Sequence, residues 1–214
     1  MNTKMLLTTL AGGVAASALL AAAPASAAIV FSFAPGGASP SPGFTIVDDF
    51  NSGVPANLSG TFQIKTPPAD SNGAPPANSS PGGTPYLSVL AGDSATIDLG
   101  GAFGAFQFDW GSIDTYNTLV IHSNGGDLTV IPGGNFPNLA NGDQASPGTN
   151  GLFTVVGTHG EKFSSITLSS SQNSFEIDNV ASGAPEPATW AMMIMGFGLA
   201  GGMMRAQRRK QALA

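Results

Sequence analysis

Apolar positions along this chain come in short alternating or continuous runs. Each run is bounded by Gly, Pro, Asn or Asp, and no central stretch repeats with the 3.6-residue period of a helix. The runs predict strands at Ile29–Phe33, Phe44–Phe50, Gly60–Ile64, Tyr86–Leu90, Ala95–Leu99, Ala105–Trp110, Thr118–His122, Leu128–Ile131, Leu152–Val156, Ser164–Leu168 and Phe175–Val180. So many short strands in succession predict an all-β fold, an antiparallel jelly-roll-like β-sandwich, with a barrel as the alternative. Phe106, Phe108 and Trp110 alternate strictly, so their rings share one face of a strand. That face is either core or an aromatic platform for a ligand. Two stretches have no apolar period: Thr66–Pro85, with six prolines in 20 residues, and the Gly- and Asn-rich Pro132–Asn150. The first is long for a connection inside a compact domain, and reads as a surface loop or as a cover over one end of the sandwich.

The two ends break this pattern. Lys4 precedes an apolar run, Met5 to Ala23, and then the small-residue site Ala25-Ser26-Ala27. This predicts a secretory signal peptide over residues 1–27. At the other end, Ala188–Met204 is a stretch of 17 uncharged residues, followed by Arg205, Arg208, Arg209 and Lys210. As a helix it would span about 25 Å, close to the thickness of a hydrocarbon core. It predicts a single transmembrane helix over residues 188–204, with Trp190 near the outer interface and the basic tail, residues 205–214, on the cytoplasmic side. The body between, residues 28–184, is then the exported domain.

Composition sharpens this reading. Glycine (29) and proline (16) make up about a fifth of the chain, which favours turns over long helices. There is no cysteine, which excludes a disulfide framework, a thiolate metal site and a thiol nucleophile. Between the two ends, Lys65 and Lys162 are the only basic residues against twelve acidic ones. A body this acidic repels phosphates and predicts no nucleic-acid partner, while it would attract Ca²⁺ or basic partners.

The stretch P-E-P-A-T-W-A-M-M-I-M-G-F-G-L-A-G-G with its basic terminus resembles the PEP-CTERM sorting signal, in the PEPxxWA variant of Gram-negative bacteria. The resemblance implies an exosortase substrate. The sorting residues would be Pro185, Glu186, Pro187 and Trp190, the motif itself being residues 185–187 within a signal over 185–214. It implies an exosortase and the inner membrane as partners and cleavage near the motif. It also implies passage from a transient membrane anchor, with the body in the periplasm, to the cell surface or an exopolysaccharide or biofilm matrix. Two prolines hold the motif extended, as a protease-like groove would require. A second segment, F-D-W-G-S-I-D-T-Y-N-T-L, resembles stretches of ectodomains from the same group of proteins.

Candidate chemistry in the body is sparse. His122 and His159 lack zinc-helix spacing, and no nucleophile-elbow motif occurs. The body holds two glutamates, Glu161 and Glu176, neither in a catalytic motif. The expectation is therefore a non-catalytic surface or matrix protein. A carbohydrate-binding module delivered by the same route and a secreted hydrolase are the alternatives. Asp48-Asp49 follows an early strand and Asp178 closes the last one in F-E-I-D-N-V. This resembles the Ca²⁺ clip of jelly-roll carbohydrate-binding modules, and implies Asp48, Asp49 and Asp178 as ligands; the alternative is solvated turn residues. Asp109 and Asp114, flanking Trp110, form a second acidic cluster. For sugar stacking, the candidates are Trp110, Tyr116 and Asn117.

Overall fold

The computed structural model describes residues 28–183. The signal peptide expected at 1–27, the sorting residues Pro185, Glu186, Pro187 and Trp190, and the expected membrane helix and basic tail lie outside them. Among the described residues, no helix is long and apolar enough to cross a membrane.

Twelve strands carry the fold: β1 (Ala28–Pro35), β2 (Phe44–Asp48), β3 (Leu58–Gly60), β4 (Gln63–Lys65), β5 (Tyr86–Val89), β6 (Ser94–Phe103), β7 (Ala105–Gly111), β8 (Asn117–Ser123), β9 (Leu128–Val130), β10 (Gly151–Thr158), β11 (Phe163–Ser170) and β12 (Phe175–Gly183). One helical turn, α1 (Pro132–Asn135), interrupts the second Gly-rich stretch. All strand pairings between these elements are antiparallel. The larger sheet runs β1-β10-β7-β12-β5-β4, and β2 shares with β5 the far edge of β12. The smaller sheet runs β3-β6-β11-β8-β9.

The core forms between the two sheets because alternate residues on each strand are apolar. Ala95, Ile97 and Leu99 of β6, Leu119 and Ile121 of β8, and Ile166 and Leu168 of β11 line one side. Phe106, Phe108 and Trp110 of β7, Phe153 of β10 and Phe175 of β12 line the other. The Phe106 and Phe163 rings meet edge to face across the sheets at 5.3 Å.

The stretch Gly60–Ile64, expected as one strand, is two strands in different sheets. β3 pairs with β6 and β4 pairs with β5. Gly60 makes the corner. Its φ is +104°, and a Cβ there would overlap the Ser94 carbonyl. Only glycine lets the chain turn so close to β6.

An antiparallel sheet usually leaves one face to water. Here β5, β7 and β12 are buried along their whole length, on both faces. The second face is closed by two polar segments. The proline-rich loop 66–85 lies across it, and the turn around Ser39 joins it. Pro76 rests on Gly111, where a Cβ would stand 2.9 Å from the Pro76 Cα. Gly111→Ala is expected to push the loop off the sheet at a cost of about 1–3 kcal/mol, because backbone rather than a flexible side chain must move. Chemical denaturation would read the loss, and faster proteolytic nicking within 66–85 would place it; unchanged nicking would refute the contact.

Candidate functional site

Beneath that loop the residues of β7 and β12 that point away from the core are polar: Gln107, Asp109, Glu176 and Asp178. All four are at least 98% buried. Asp109 and Asp178 stand directly opposite each other in the β7–β12 register. Side chains of such a pair share a face, with Cβ atoms about 5 Å apart.

The strand geometry that aims Asp178 comes from the next residue. Asn179 has φ +50°, a conformation Asn tolerates better than most residues, and the ladder is irregular between Asp178 and Ala181. The bend lets the Asn179 backbone N–H donate to Asp178 Oδ1 at 2.7 Å, while its Nδ2 donates to Asp109 Oδ2 at 2.9 Å. Asp109 Oδ1 accepts from the Ser39 backbone N–H at 2.7 Å and from Asn78 Nδ2 at 3.1 Å. Thr84 Oγ1 donates to Asp178 Oδ2 at 3.3 Å. The Ser79 hydroxyl lies beside both carboxylates without settling into hydrogen-bond geometry with either. Burial, the largest influence on each group, pushes the Asp109 carboxyl up to about 6 and the Asp178 carboxyl up to about 7.

Glu176 sits further along the same face. It accepts from Ser112 Oγ at 2.9 Å, from the Ala74 backbone N–H at 3.3 Å and from Ser174 Oγ. Gly73 of the loop packs against it, since a Cβ there would approach Glu176 Oε1 to 3.0 Å. Burial raises this carboxyl to about 7. Both of its oxygens accept, and the Ala74 N–H ties the loop to it.

The expected Ca²⁺ trio does not converge. Asp48 Oδ1 accepts from the Phe50 N–H at 2.7 Å and Asp49 Oδ1 from the Asn51 N–H at 3.1 Å, so each carboxylate closes its own turn. Asp178 faces Asp109 instead. Among the described residues, no three His, Asp or Glu side chains gather as ion ligands.

The expected sugar residues separate as well. Trp110 is fully buried, its ring stacked on Phe175 at 4.6 Å and 10° and edge-on to Phe153 at 5.3 Å. Asn117 is buried too, bonding Ser170 Oγ, the Ser174 carbonyl and the Asp114 N–H. Tyr116 alone is half-exposed. It lines an open groove with Asp93, Ser94, Thr118 and Ser171, and its hydroxyl donates to the Asn173 carbonyl at 2.8 Å.

One acid–imidazole–hydroxyl array was not anticipated from the sequence. His122 Nδ1 lies 3.0 Å from Asp127 Oδ1, and His122 Nε2 lies 2.9 Å from Thr167 Oγ1. Thr167 belongs to β11, which is paired on both sides by β6 and β8. Thr167 Oγ1 is also 2.8 Å from Thr96 Oγ1. The array suits a polar row on a solvated sheet face.

The comparisons with known proteins bear on the end of the chain. Residues 184–210 match the PEP-CTERM protein-sorting motif. No curated protein matches the sequence. Among solved structures, the catalytic unit of a thermostable GH87 α-1,3-glucanase from Streptomyces thermodiastaticus strain HF3-3 aligns over 66% of this chain at 16% identity, with a TM-score of 0.34. The chain spans about a quarter of that structure's length, 26%.

Proposed function

We propose that this chain, which carries a PEP-CTERM protein-sorting motif, is an exported protein cut by an exosortase at that motif, and that its β-sandwich is a non-catalytic body for the cell surface or an exopolysaccharide matrix. The observation that carries this reading is the motif match at residues 184–210. It begins at the residue after β12, which ends at Gly183. β12 lies at the centre of the larger sheet, between β7 and the shared β5–β2 edge. Every strand among the described residues therefore ends before the sorting motif starts, and cleavage near Pro185-Glu186-Pro187 would spare them all.

The strand order supports the finer fold reading. β5-β12-β7-β10 in one sheet and β6-β11-β8-β9 in the other is the order in which eight successive strands wind as a jelly roll. β1 to β4 add to its edges. A carbohydrate-binding role would rest on Tyr116 and the hydroxyl-lined groove beside it, since Trp110 and Asn117 are built into the interior.

The test is mass spectrometry of the chain recovered from the cell surface. The mature C-terminus is expected within or next to Pro185–Pro187, and deletion of those three residues should leave the full-length chain in the membrane fraction. A surface-exposed wild-type chain that still contained Arg205 would overturn the reading.

A further inference from the structure

Two carboxylates placed face to face in a sheet interior repel each other, and like charges directly opposite destabilise a strand pair. Water cannot screen Asp109 and Asp178, both at least 99% buried. A basic residue is the usual remedy, yet Lys65 is paired with Asp70, and neither Asp109 nor Asp178 has an ion-pair partner among the described residues. Hydrogen bonds answer only part of the need. Asp109 accepts three, but Asp178 accepts one from its own neighbour Asn179 and a long one from Thr84.

A separate observation bears on the same place. Three residues next to the pair each have a buried side-chain oxygen without a hydrogen-bond partner: Ser79 Oγ, Asn78 Oδ1 and Gln107 Oε1. Gln107 is fully buried, projects from the same face of β7 as Asp109, and its Nε2 donates at 3.3 Å to Ser39 Oγ, on the residue whose N–H holds Asp109. Buried polar atoms are rarely left without a partner. The amide oxygens of Asn78 and Gln107 can only accept, and a cation beside the two carboxylates would give them a partner.

We propose that Asp109 and Asp178, with Ser79, Asn78, Thr84 and Gln107, form a site for a hard divalent cation, Ca²⁺, that fastens the loop 66–85 to the β-sandwich. Two carboxylates balance the charge of one divalent ion. Carboxylate, amide and hydroxyl oxygens are the ligands Ca²⁺ takes, six to eight of them with water making up the number. With neither thiolate nor imidazole in the set, the site does not suit zinc. This set differs from the Asp48–Asp49–Asp178 trio of the sequence reading, and it stands whether or not an exosortase handles the chain. Three of its members, Asn78, Ser79 and Thr84, come from the loop, so binding orders the loop.

The experiment is thermal melting of the full chain in detergent, after EGTA treatment and then on CaCl₂ titration, with limited proteolysis of the loop in parallel. At about a hundred-fold excess over Kd, Ca²⁺ is expected to raise Tm by about 5–10 °C and to slow nicking within 66–85. Mg²⁺ at the same concentration should do much less, because it demands a tighter octahedral cage. Asp178→Asn should abolish the Ca²⁺ shift while keeping the shape of the side chain, and Ser79→Ala should weaken the apparent affinity several-fold. An unchanged Tm and unchanged nicking with Ca²⁺ would overturn the proposal. So would a full Ca²⁺ shift persisting in both variants, which would place the ion elsewhere, Asp48 and Asp49 included. Should Asp178→Asn fail to fold, the Ser79→Ala titration decides alone.

Discussion

Replacing Trp110 by alanine is expected to destabilise the body by about 3–5 kcal/mol, a large fraction of what a domain of this size holds in reserve. The indole lies in the middle of the core, stacked on Phe175 and flanked by Phe108 and Phe153. Its removal leaves a cavity whose walls belong to β7, β10 and β12, and these strands cannot collapse without losing register. Trp110→Phe should cost far less. The ring keeps the stack, and the change removes Nε1–H, a buried donor with no partner, whose desolvation already costs about 1–3 kcal/mol. Urea denaturation of the two variants checks both values. If Trp110→Ala kept wild-type stability, the ring would not be a core residue, and the aromatic-platform reading of the Phe106–Trp110 strand would return.

The strands were legible because period-two alternation is a local property. Ten of the eleven apolar runs that predicted a strand each coincide with one, and β7 lies where Phe106, Phe108 and Trp110 alternate. The split of Gly60–Ile64 between two sheets was not legible, since it depends on the Ser94 carbonyl, which reaches Gly60 only in the folded chain. The polar site was half legible. Asp178-Asn179 stood out, but its expected neighbours were Asp48 and Asp49, whose carboxylates serve their own turns. Its true neighbour, Asp109, is 69 positions away in sequence and is set opposite by strand register alone. Alternation on a one-sided sheet would set Asp109 and Gln107 on the solvent face. The loop 66–85 defeats that inference by covering the second face, and a segment rich in proline and polar residues carries no apolar signal that it will be buried.

The buried carboxyls also dictate how stability depends on pH. In the unfolded chain an Asp titrates near 3.8 and a Glu near 4.5; in the fold, burial holds Asp109 at about 6 and both Asp178 and Glu176 at about 7. Between these values the folded chain keeps protons that the unfolded chain has released. Stability rises with pH only where the unfolded state binds more protons, so here it falls. In the presence of EGTA, the body is expected to be most stable near pH 4–5 and to lose stability steadily up to about pH 7. Ionising a carboxyl raised from 3.8 to about 6 costs the fold about 3 kcal/mol, so Asp109 alone should lower Tm by several degrees across the window. Glu176→Gln should remove part of the slope and leave the part due to the aspartates. Glu176 is also raised by the nearby charge of Asp114, so Asp114→Asn should move the Glu176 share of the transition to lower pH. Ca²⁺ binds the ionised aspartates, so its addition should flatten their part of the slope at pH 7 and have little effect at pH 4. Melting curves from pH 4 to pH 8, with EGTA and with CaCl₂, measure both. Stability that rose through this range in EGTA would mean that these carboxyls are not buried beneath the loop.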